Sequence, residues 1–167
     1  MGAGNQQERL EPSWIVGFVD GEGCFSVSVF RNHTSRLGWQ VFPEFAITQG
    51  GKSVETLERI KNYFDCGNVF INRREDNHRE NLSRYCVRSV EDLRKVVIPF
   101  FRHHPLQTAK RQDFELFVGA VDLIERKAHL TRDGLRQIAN ISSQMNRKSK
   151  SKFLESSEAI RRTPTTR

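Results

Sequence analysis

Two carboxylates follow an apolar segment near the amino end of the chain. The tetrapeptide 20–23, Asp-Gly-Glu-Gly, comes directly after Trp14–Val19, where every residue is apolar or glycine. Charge is costly at the edge of a buried segment, so carboxylates in such a place usually have a partner, for example a metal ion, a base or a phosphate. Asp20 and Glu22 are therefore the first candidates for catalysis.

A short helix over residues 14–20 is predicted to position these acids. Pro12 and Ser13 are typical of a helix start, and apolar residues around the whole circumference predict burial on both sides. Gly17 and Gly21 are four residues apart and form a flat stripe that a second helix could approach. On spacing alone a local role is equally favoured, with one glycine packed on its own core and the other as a C-cap.

The rest of the pattern predicts two hairpins and several helices. Period-two alternation predicts strands at Cys24–Arg31, Trp39–Thr48, Gly67–Arg74 and Leu82–Arg88. Helical periodicity predicts helices at Ser53–Phe64, Val90–Phe101, Leu106–Lys127 and Gly134–Asn146. We expect Pro43 to mark an unpaired or bulged strand position and Pro99 to end or kink its helix. The predicted fold class is α+β: an αββαββα order with a four-stranded antiparallel saddle sheet, helices on one face and extra C-terminal helices.

Length and charge predict one domain with a polyanionic partner. The 167 residues are 37% apolar and suffice for one core, which we place at residues 13–147 after an N-terminal arm at 1–12. The net charge is +7, and residues 126–167 carry 11 Lys and Arg against 3 Asp and Glu. This surplus favours a polyanion, although a solubilising segment is the alternative for the tail. Residues 148–167 are expected to form a basic, mobile tail.

Cysteine usage and hydropathy predict an intracellular protein. Cys24, Cys66 and Cys86 have no metal-ligand spacing, and an odd number leaves one thiol unpaired in any disulfide scheme. We therefore expect a reducing compartment, either the cytoplasm or nucleoid or an organelle matrix. No apolar run approaches the length of a membrane span, and residues 1–11 lack the apolar core of a secretory signal. No membrane partner is expected.

One face of the predicted sheet is left without helices. We name it the open face, and its candidate DNA-contacting residues are Ser26, Ser28, Phe30, Asn32, Gln40, Phe42, Glu44, Asn68, Phe70, Asn72, Arg74, Arg84, Cys86 and Arg88. A solvated sheet face is the ordinary explanation of such a surface. A β-surface that lies in a DNA groove would use the same side chains to contact base edges. The pattern alone slightly favours the solvated face.

Residues 14–23, Trp-Ile-Val-Gly-Phe-Val-Asp-Gly-Glu-Gly, resemble the motif that gives the LAGLIDADG homing endonucleases their name. Two further segments resemble the family in position and residue type. They are Phe45–Gln49, at the end of the second strand, and Pro105–Lys110, at the start of the long helix. With the element order, the resemblance covers roughly Ser13–Lys127. The motif occurs once, which resembles the homodimeric type of the family, and the implied dimer interface is Trp14, Gly17, Phe18 and Gly21.

The resemblance implies a site-specific double-strand DNA endonuclease that hydrolyses phosphodiester bonds in a long pseudo-palindromic target. It implies Mg²⁺ as the cofactor, with two or three divalent ions per dimer and Mn²⁺ as a substitute. The implied metal ligands are Glu22 and the Gly21 carbonyl, at the negative end of the helix dipole. The candidate catalytic residues are Asp20, Glu22, Gln49, Lys52 and Lys110.

Several alternatives remain open at this point. The same scaffold could serve as a maturase that binds intron RNA, or as a DNA-binding protein without catalysis. Loss of the motif acids would favour these alternatives, and both Asp20 and Glu22 are present. For Asp20 a structural role, capping the turn or orienting the helix, is favoured over catalysis. The basic residue that matches the family's could also be Arg111 in place of Lys110.

Overall fold

A computed structural model of the protein describes residues 9–72, 81–145 and 152–156. Its four strands form one antiparallel sheet in the order β1-β2-β4-β3, with β1 at Gly23–Arg31, β2 at Trp39–Gly50, β3 at Asn68–Asn72 and β4 at Leu82–Val87. The helices are α1 (Pro12–Glu22), α2 (Val54–Phe64), α3 (Val90–Asp92), α4 (Ile98–His103), α5 (Lys110–Glu125), α6 (Arg132–Gln144) and α7 (Lys152–Glu155). The predicted α+β class and strand pairing are confirmed.

The core is an aromatic cluster between the sheet and its helices. The inward residues of β1 alternate as predicted, and Phe25 is fully buried. Its ring stacks on Phe45 of β2 at 5.0 Å and meets Phe114 and Phe117 of α5 at 5.2 and 5.4 Å. Tilted and edge-to-face rings of this kind add to the stabilisation that burial provides. This cluster holds α5 against β1 and β2, so the start of α5 has a defined place at one end of the sheet.

The long helix α5 begins later than the sequence pattern predicts. Helical periodicity placed its start at Leu106, whereas the helix runs from Lys110 to Glu125. In the segment before the helix, the backbone N–H groups of Gln107 and Thr108 donate to the Asp20 carboxylate. Periodicity in the sequence gives no sign of a partner so far away along the chain.

Pro43 and Pro99 both lie inside regular secondary-structure elements and do not end them. Pro43 lies opposite Val27 in the β1–β2 register without a bulge, at a point that β4 does not reach, because β4 begins its pairing with β2 at Phe45. Near Pro99 the helix continues to His103. A π-helical turn, Leu93–Val97, precedes the proline, where the missing N–H interrupts the regular ladder.

Part of the basic tail is folded, which corrects the expectation of a mobile segment for residues 152–156. Phe153 of α7 is buried, and its ring packs edge-on against Trp39 of β2 at 5.1 Å. The other tail residues lie outside the described residues, as do Arg74 and the side chain of Asn72. Among the described residues, no helix combines the length and apolar character needed to span a bilayer.

A paired glycine substitution tests the close approach of the turn before β3 to β4. Gly67 and Gly38 both have a positive φ, 76° and 74°. A Cβ on Gly67 would lie 2.6 Å from the Cys86 carbonyl oxygen, whereas the nearest atom at Gly38 is an Arg31 nitrogen at 3.5 Å. We expect Gly38→Ala to cost about 1 kcal/mol of unfolding free energy from backbone strain. Gly67→Ala should cost about 1–3 kcal/mol more because of the clash.

Urea unfolding of the two variants measures this difference. Gly38→Ala is the matched control, because it carries the same positive φ without the close carbonyl. Equal losses in the two variants would contradict the packing of Gly67 against β4.

Candidate active site and nucleic-acid interface

The two motif acids have different surroundings at the end of α1. Glu22 is the last residue of the helix and is exposed, and no hydrogen bond to its carboxylate exists within residues 9–72, 81–145 and 152–156. The backbone turns directly into β1 at Gly23, whose N–H donates to the Val19 carbonyl. Glu22 therefore presents a solvent-accessible carboxylate at the negative end of the helix dipole.

Asp20 is engaged with a distant part of the chain. Its Oδ2 accepts the Gln107 N–H at 2.8 Å, and its Oδ1 accepts the Thr108 hydroxyl at 2.7 Å and the Thr108 N–H at 3.3 Å. The same hydroxyl accepts the N–H of Lys110 at 3.2 Å. Asp20 thus ties the end of α1 to the segment that begins α5, which is the structural role favoured from sequence.

Lys110 is brought to the end of α1 by this link. Its ammonium donates to the carbonyl of Gly23, the residue that follows Glu22. An ammonium has three donors, so this contact does not exhaust its capacity. Arg111, the alternative in the sequence, instead lines a separate groove with Arg102 and Phe114. The structure therefore places Lys110, and not Arg111, against the backbone that follows Glu22.

Gln49 and Lys52 lie at the same end of the sheet. The register pairs Gly23 with Ile47, so Gln49 continues β2 about 7 Å beyond the last β1 partner. Gln49 pairs with Ser83 of β4. Lys52 is exposed in the turn that follows β2. Four of the five candidate catalytic residues thus belong to segments at one end of the sheet, and the fifth, Asp20, links the end of α1 to residues 107–108.

The donor set available to a metal within one chain is small. Among the described residues there is no cluster of three or more His, Cys, Asp or Glu side chains that could hold an ion. Asp20 is committed to the 107–108 loop, which leaves Glu22 as the accessible carboxylate of the motif. One carboxylate with backbone carbonyls suits Mg²⁺, which binds through one or two carboxylates and substrate phosphates and retains waters.

One side of α1 is exposed, contrary to the expectation of burial all round. Ile15, Val16 and Val19 are buried, whereas Trp14 is 41% exposed and stacks on Phe18 at 4.9 Å. The predicted interface residues Gly17 and Gly21 are exposed, and no atom lies within 4 Å of a Cβ built on either. Within the described residues, nothing covers this aromatic and glycine face, the α1 face.

The open face of the sheet is polar and aromatic, and it begins beside the candidate site. Most of the predicted DNA-contacting side chains are at least partly accessible: Ser26, Ser28, Phe30, Asn32, Gln40, Phe42, Asn68, Phe70, Arg84 and Arg88. Two predicted contacts are wrong, because Cys86 is 2% and Glu44 is 6% exposed. Asn32 and Gln40 form a hydrogen bond of 2.6 Å with each other across the β1–β2 hairpin.

Glu44 is buried beneath two arginines. Its Oε1 accepts from Arg84 Nη2, and its Oε2 accepts from Arg88 Nε at 2.7 Å. The hydrogen bond to Glu44 raises the pKa of Arg88 above its usual value. The guanidinium carbon of Arg88 also lies over the rings of Phe42 and Phe70, at 5.3 and 5.4 Å. The sequence analysis predicted each of these residues separately as a DNA contact. The alternation of strand residues gave no sign that they form one cluster.

The thiols near the site are not suited to nucleophilic chemistry. Desolvation raises the pKa of Cys24, and the positive charge of Lys110 opposes this shift. Burial likewise raises the pKa of Cys86. Because the thiolate is the reactive form, both groups are neutral at pH 7. None of the three cysteines is joined in a disulfide among the described residues.

Comparison with known proteins places the chain in a family. The family model described as LAGLIDADG endonuclease matches residues 15–121, which include most of α1, the whole sheet and most of α5. The chain is 37% identical to "Probable intron-encoded endonuclease 3" of Neurospora crassa over 85% of its own length, but it spans only 26% of that relative. It is 32% identical to the homing endonuclease I-ApeII of Aeropyrum pernix, covering 86% of this chain and 84% of I-ApeII. The chain belongs to the LAGLIDADG endonuclease family.

Solved structures agree with this assignment. The homing endonuclease I-TnaI superposes with a TM-score of 0.78 and 39% identity, covering 91% of this chain and 99% of I-TnaI. I-SmaMI bound to cleaved DNA superposes with a TM-score of 0.80 and 31% identity, covering 95% of this chain but 50% of I-SmaMI. The chain therefore corresponds to all of one neighbour and to half of the other.

A double-mutant cycle tests whether Asp20 acts through the 107–108 loop. Asp20→Ala should lower the unfolding free energy by about 1 kcal/mol, because it removes the acceptor for partly solvated donors. Combined with Thr108→Val, it should show a coupling energy of at least about 0.5 kcal/mol in urea unfolding. Glu22→Gln, at an exposed position, is the control and should change stability by less than about 0.5 kcal/mol. Additive losses for Asp20 and Thr108 would contradict the link.

Proposed function

We propose that the chain is a site-specific, metal-dependent endonuclease that cuts double-stranded DNA as a homodimer. The observation that carries this proposal is the placement of Glu22. The exposed carboxylate stands at the end of α1, and the Lys110 ammonium donates to the carbonyl of the next residue, Gly23. Phosphodiester hydrolysis needs an acid to hold a cation and a positive group near the phosphate. Family membership supports the same activity.

Each residue at this end of the sheet has a task in the proposed reaction. The Lys110 ammonium is placed to interact with a phosphate oxygen, where negative charge increases during hydrolysis. The Gln49 amide, which both donates and accepts, is suited to orient a water molecule for attack on phosphorus. Lys52 adds a second positive charge at the same end. Asp20 is a positioning residue, because its hydrogen bonds hold the segment that carries Lys110.

Glu22 and the Gly21 carbonyl are the proposed ligands for Mg²⁺, with Mn²⁺ as a substitute. When bound, a divalent ion would neutralise charge on the phosphate and lower the pKa of a bound water. Of the two motif acids only Glu22 is accessible in each chain, so the proposed site requires substrate phosphate oxygens and would be completed by Glu22 of a second copy. Two copies would then supply one acid for each DNA strand, with two or three ions per dimer.

The α1 face is the proposed dimer interface. Its exposed Trp14–Phe18 stack and open glycines form an apolar surface that a second α1 helix could contact closely. The match to half of I-SmaMI supports this proposal, since two copies of the present chain would correspond to one such molecule. A two-fold arrangement implies a pseudo-palindromic target.

The open face is the proposed DNA-binding surface. I-SmaMI, I-CpaMI and I-LtrWI have been solved in complex with DNA, and each superposes on this chain with a TM-score of 0.76 or more. Several relatives are named as intron-encoded, which supports an intron-borne gene for this chain. A reducing compartment is consistent with three cysteines that form no disulfide among the described residues. Intron RNA is a second candidate ligand, and a maturase would not need an exposed Glu22.

Replacing Glu22 separates cleavage from binding. With Mg²⁺ and a target selected by the wild-type protein from a random DNA library, Glu22→Gln should reduce the cleavage rate at least about a hundredfold, because it removes the ligand charge. The dissociation constant for the same DNA, measured in Ca²⁺, should stay within about threefold. Glu115→Gln, an exposed acid of α5, is the matched control and should cut normally. Normal cleavage by Glu22→Gln would refute the proposed site, and a maturase would instead bind intron RNA in both forms.

Filling the glycine stripe tests the dimer. Gly17→Leu should fold, because no atom lies within 4 Å of its Cβ, but the new side chain would obstruct an opposing helix. We expect a monomer in analytical ultracentrifugation and loss of double-strand cleavage. Gly119→Leu on α5, where a Cβ is equally unobstructed, should remain dimeric. A dimeric and active Gly17→Leu protein would exclude the α1 face as the interface.

A further inference from the structure

We propose that Glu44 is a positioning residue that holds Arg88 as the specific reader of a guanine in the target. The inference rests on the proposed DNA-binding function and names one base contact of that surface. The cluster comprises Glu44 of β2, Arg84 of β4 and Arg88 directly after β4, with Phe42 and Phe70 beside it. We call it the Glu44 cluster.

Glu44 cannot serve as a direct DNA contact. Its side chain is 8% exposed, whereas those of Arg84 and Arg88 are 44% and 45% exposed. Both carboxylate oxygens are occupied, each by one arginine. A buried charge that is paired and hydrogen-bonded is stable, whereas the same charge without its partners would be costly. The effect of Glu44 on a ligand must therefore pass through the two guanidinium groups.

The two arginines keep different sets of donors. Arg88 uses Nε for Glu44, which leaves Nη1 and Nη2 together as a free edge within the described residues. Two parallel N–H groups match the O6 and N7 acceptors of guanine in the major groove. Arg84 donates to Glu44 through Nη2, and its Nε is buried without a partner among the described residues. Because Nη2 belongs to both two-donor edges of a guanidinium, Glu44 engages one nitrogen of either edge in Arg84, whereas it engages neither Nη group of Arg88.

The aromatic rings restrict the orientation of Arg88. β4 lies between β2 and β3 in the sheet, so Phe42 and Phe70 flank the arginine from the two neighbouring strands. Contacts between a guanidinium and aromatic faces at these distances are attractive. Together with the Nε hydrogen bond, they hold the guanidinium before any ligand binds. Less side-chain entropy is then lost on binding, and the fixed edge discriminates among bases.

The charge of the cluster argues against a mainly electrostatic role. One carboxylate lies between two guanidinium groups, so the cluster carries a net charge of +1 where two free arginines would carry +2. A surface selected only for attraction to phosphate would not bury an acid beneath its cations. Orientation is the property that Glu44 contributes, and orientation matters for base contacts more than for phosphate contacts.

Base selection with the full chain tests the inference. The wild-type protein, Arg88→Lys, Glu44→Gln and Arg36→Ala are each used to select double-stranded targets from a random library in Ca²⁺. Wild type should prefer guanine at a pair of symmetry-related positions. Arg88→Lys keeps the charge but not the two-donor edge, and it should reduce that preference roughly ten- to a hundredfold. Glu44→Gln should reduce the preference at the same two positions and leave the others unchanged.

Salt dependence and the control distinguish base contact from phosphate contact. Arg88→Ala should leave the slope of affinity against salt concentration nearly unchanged, whereas a phosphate contact would lower it by about one. Arg36→Ala, an exposed hairpin cation, should retain the guanine preference. Unchanged base preferences in Arg88→Lys and Glu44→Gln would overturn this inference but leave the proposed function standing. A wild-type protein that selects no sequence would overturn the proposed function as well.

Discussion

The hydrogen bonds between Asp20 and the 107–108 segment are the contact on which the candidate site depends. They join parts of the chain that are 87 and 88 residues apart, the end of α1 and the start of α5. They also hold the non-helical segment that precedes Lys110, the first residue of α5. The aromatic cluster beneath the sheet holds the rest of α5, and the Asp20 link aligns its start with Glu22.

Two acids of one short motif therefore have separate tasks. Asp20 faces the fold and gives its oxygens to backbone donors, whereas Glu22, two residues later, faces solvent at the end of the helix. Side chains two positions apart on a helix do not share a face, which is why one can be structural while the other is available for chemistry. Gly21, between the two acids, has open space beside it, whereas Gly23 is buried and packs closely on Val19.

How well the sequence predicted a structural feature depended on how far apart along the chain the interacting residues lie. The strand alternation of β1 and the inward residues of α5 were correct, because burial of one face imposes a local period. The link from Asp20 to residues 107–108, the packing of Phe153 on Trp39 and the burial of Glu44 were missed. Each of these depends on a partner many residues away, and a polar residue at an outward strand position looks the same whether it meets solvent or a neighbouring arginine.

The sequence by itself determined the element order, the family motif and the identity of the exposed acid Glu22. It did so because periodicity and a compact motif are properties of neighbouring residues. Only the tertiary structure decided that Asp20 links the end of α1 to residues 107–108 and that Lys110 rather than Arg111 contacts the end of α1. It also decided that Glu44 lies beneath two arginines. These outcomes follow from strand register and helix packing, which set the distances between groups that the chain keeps far apart.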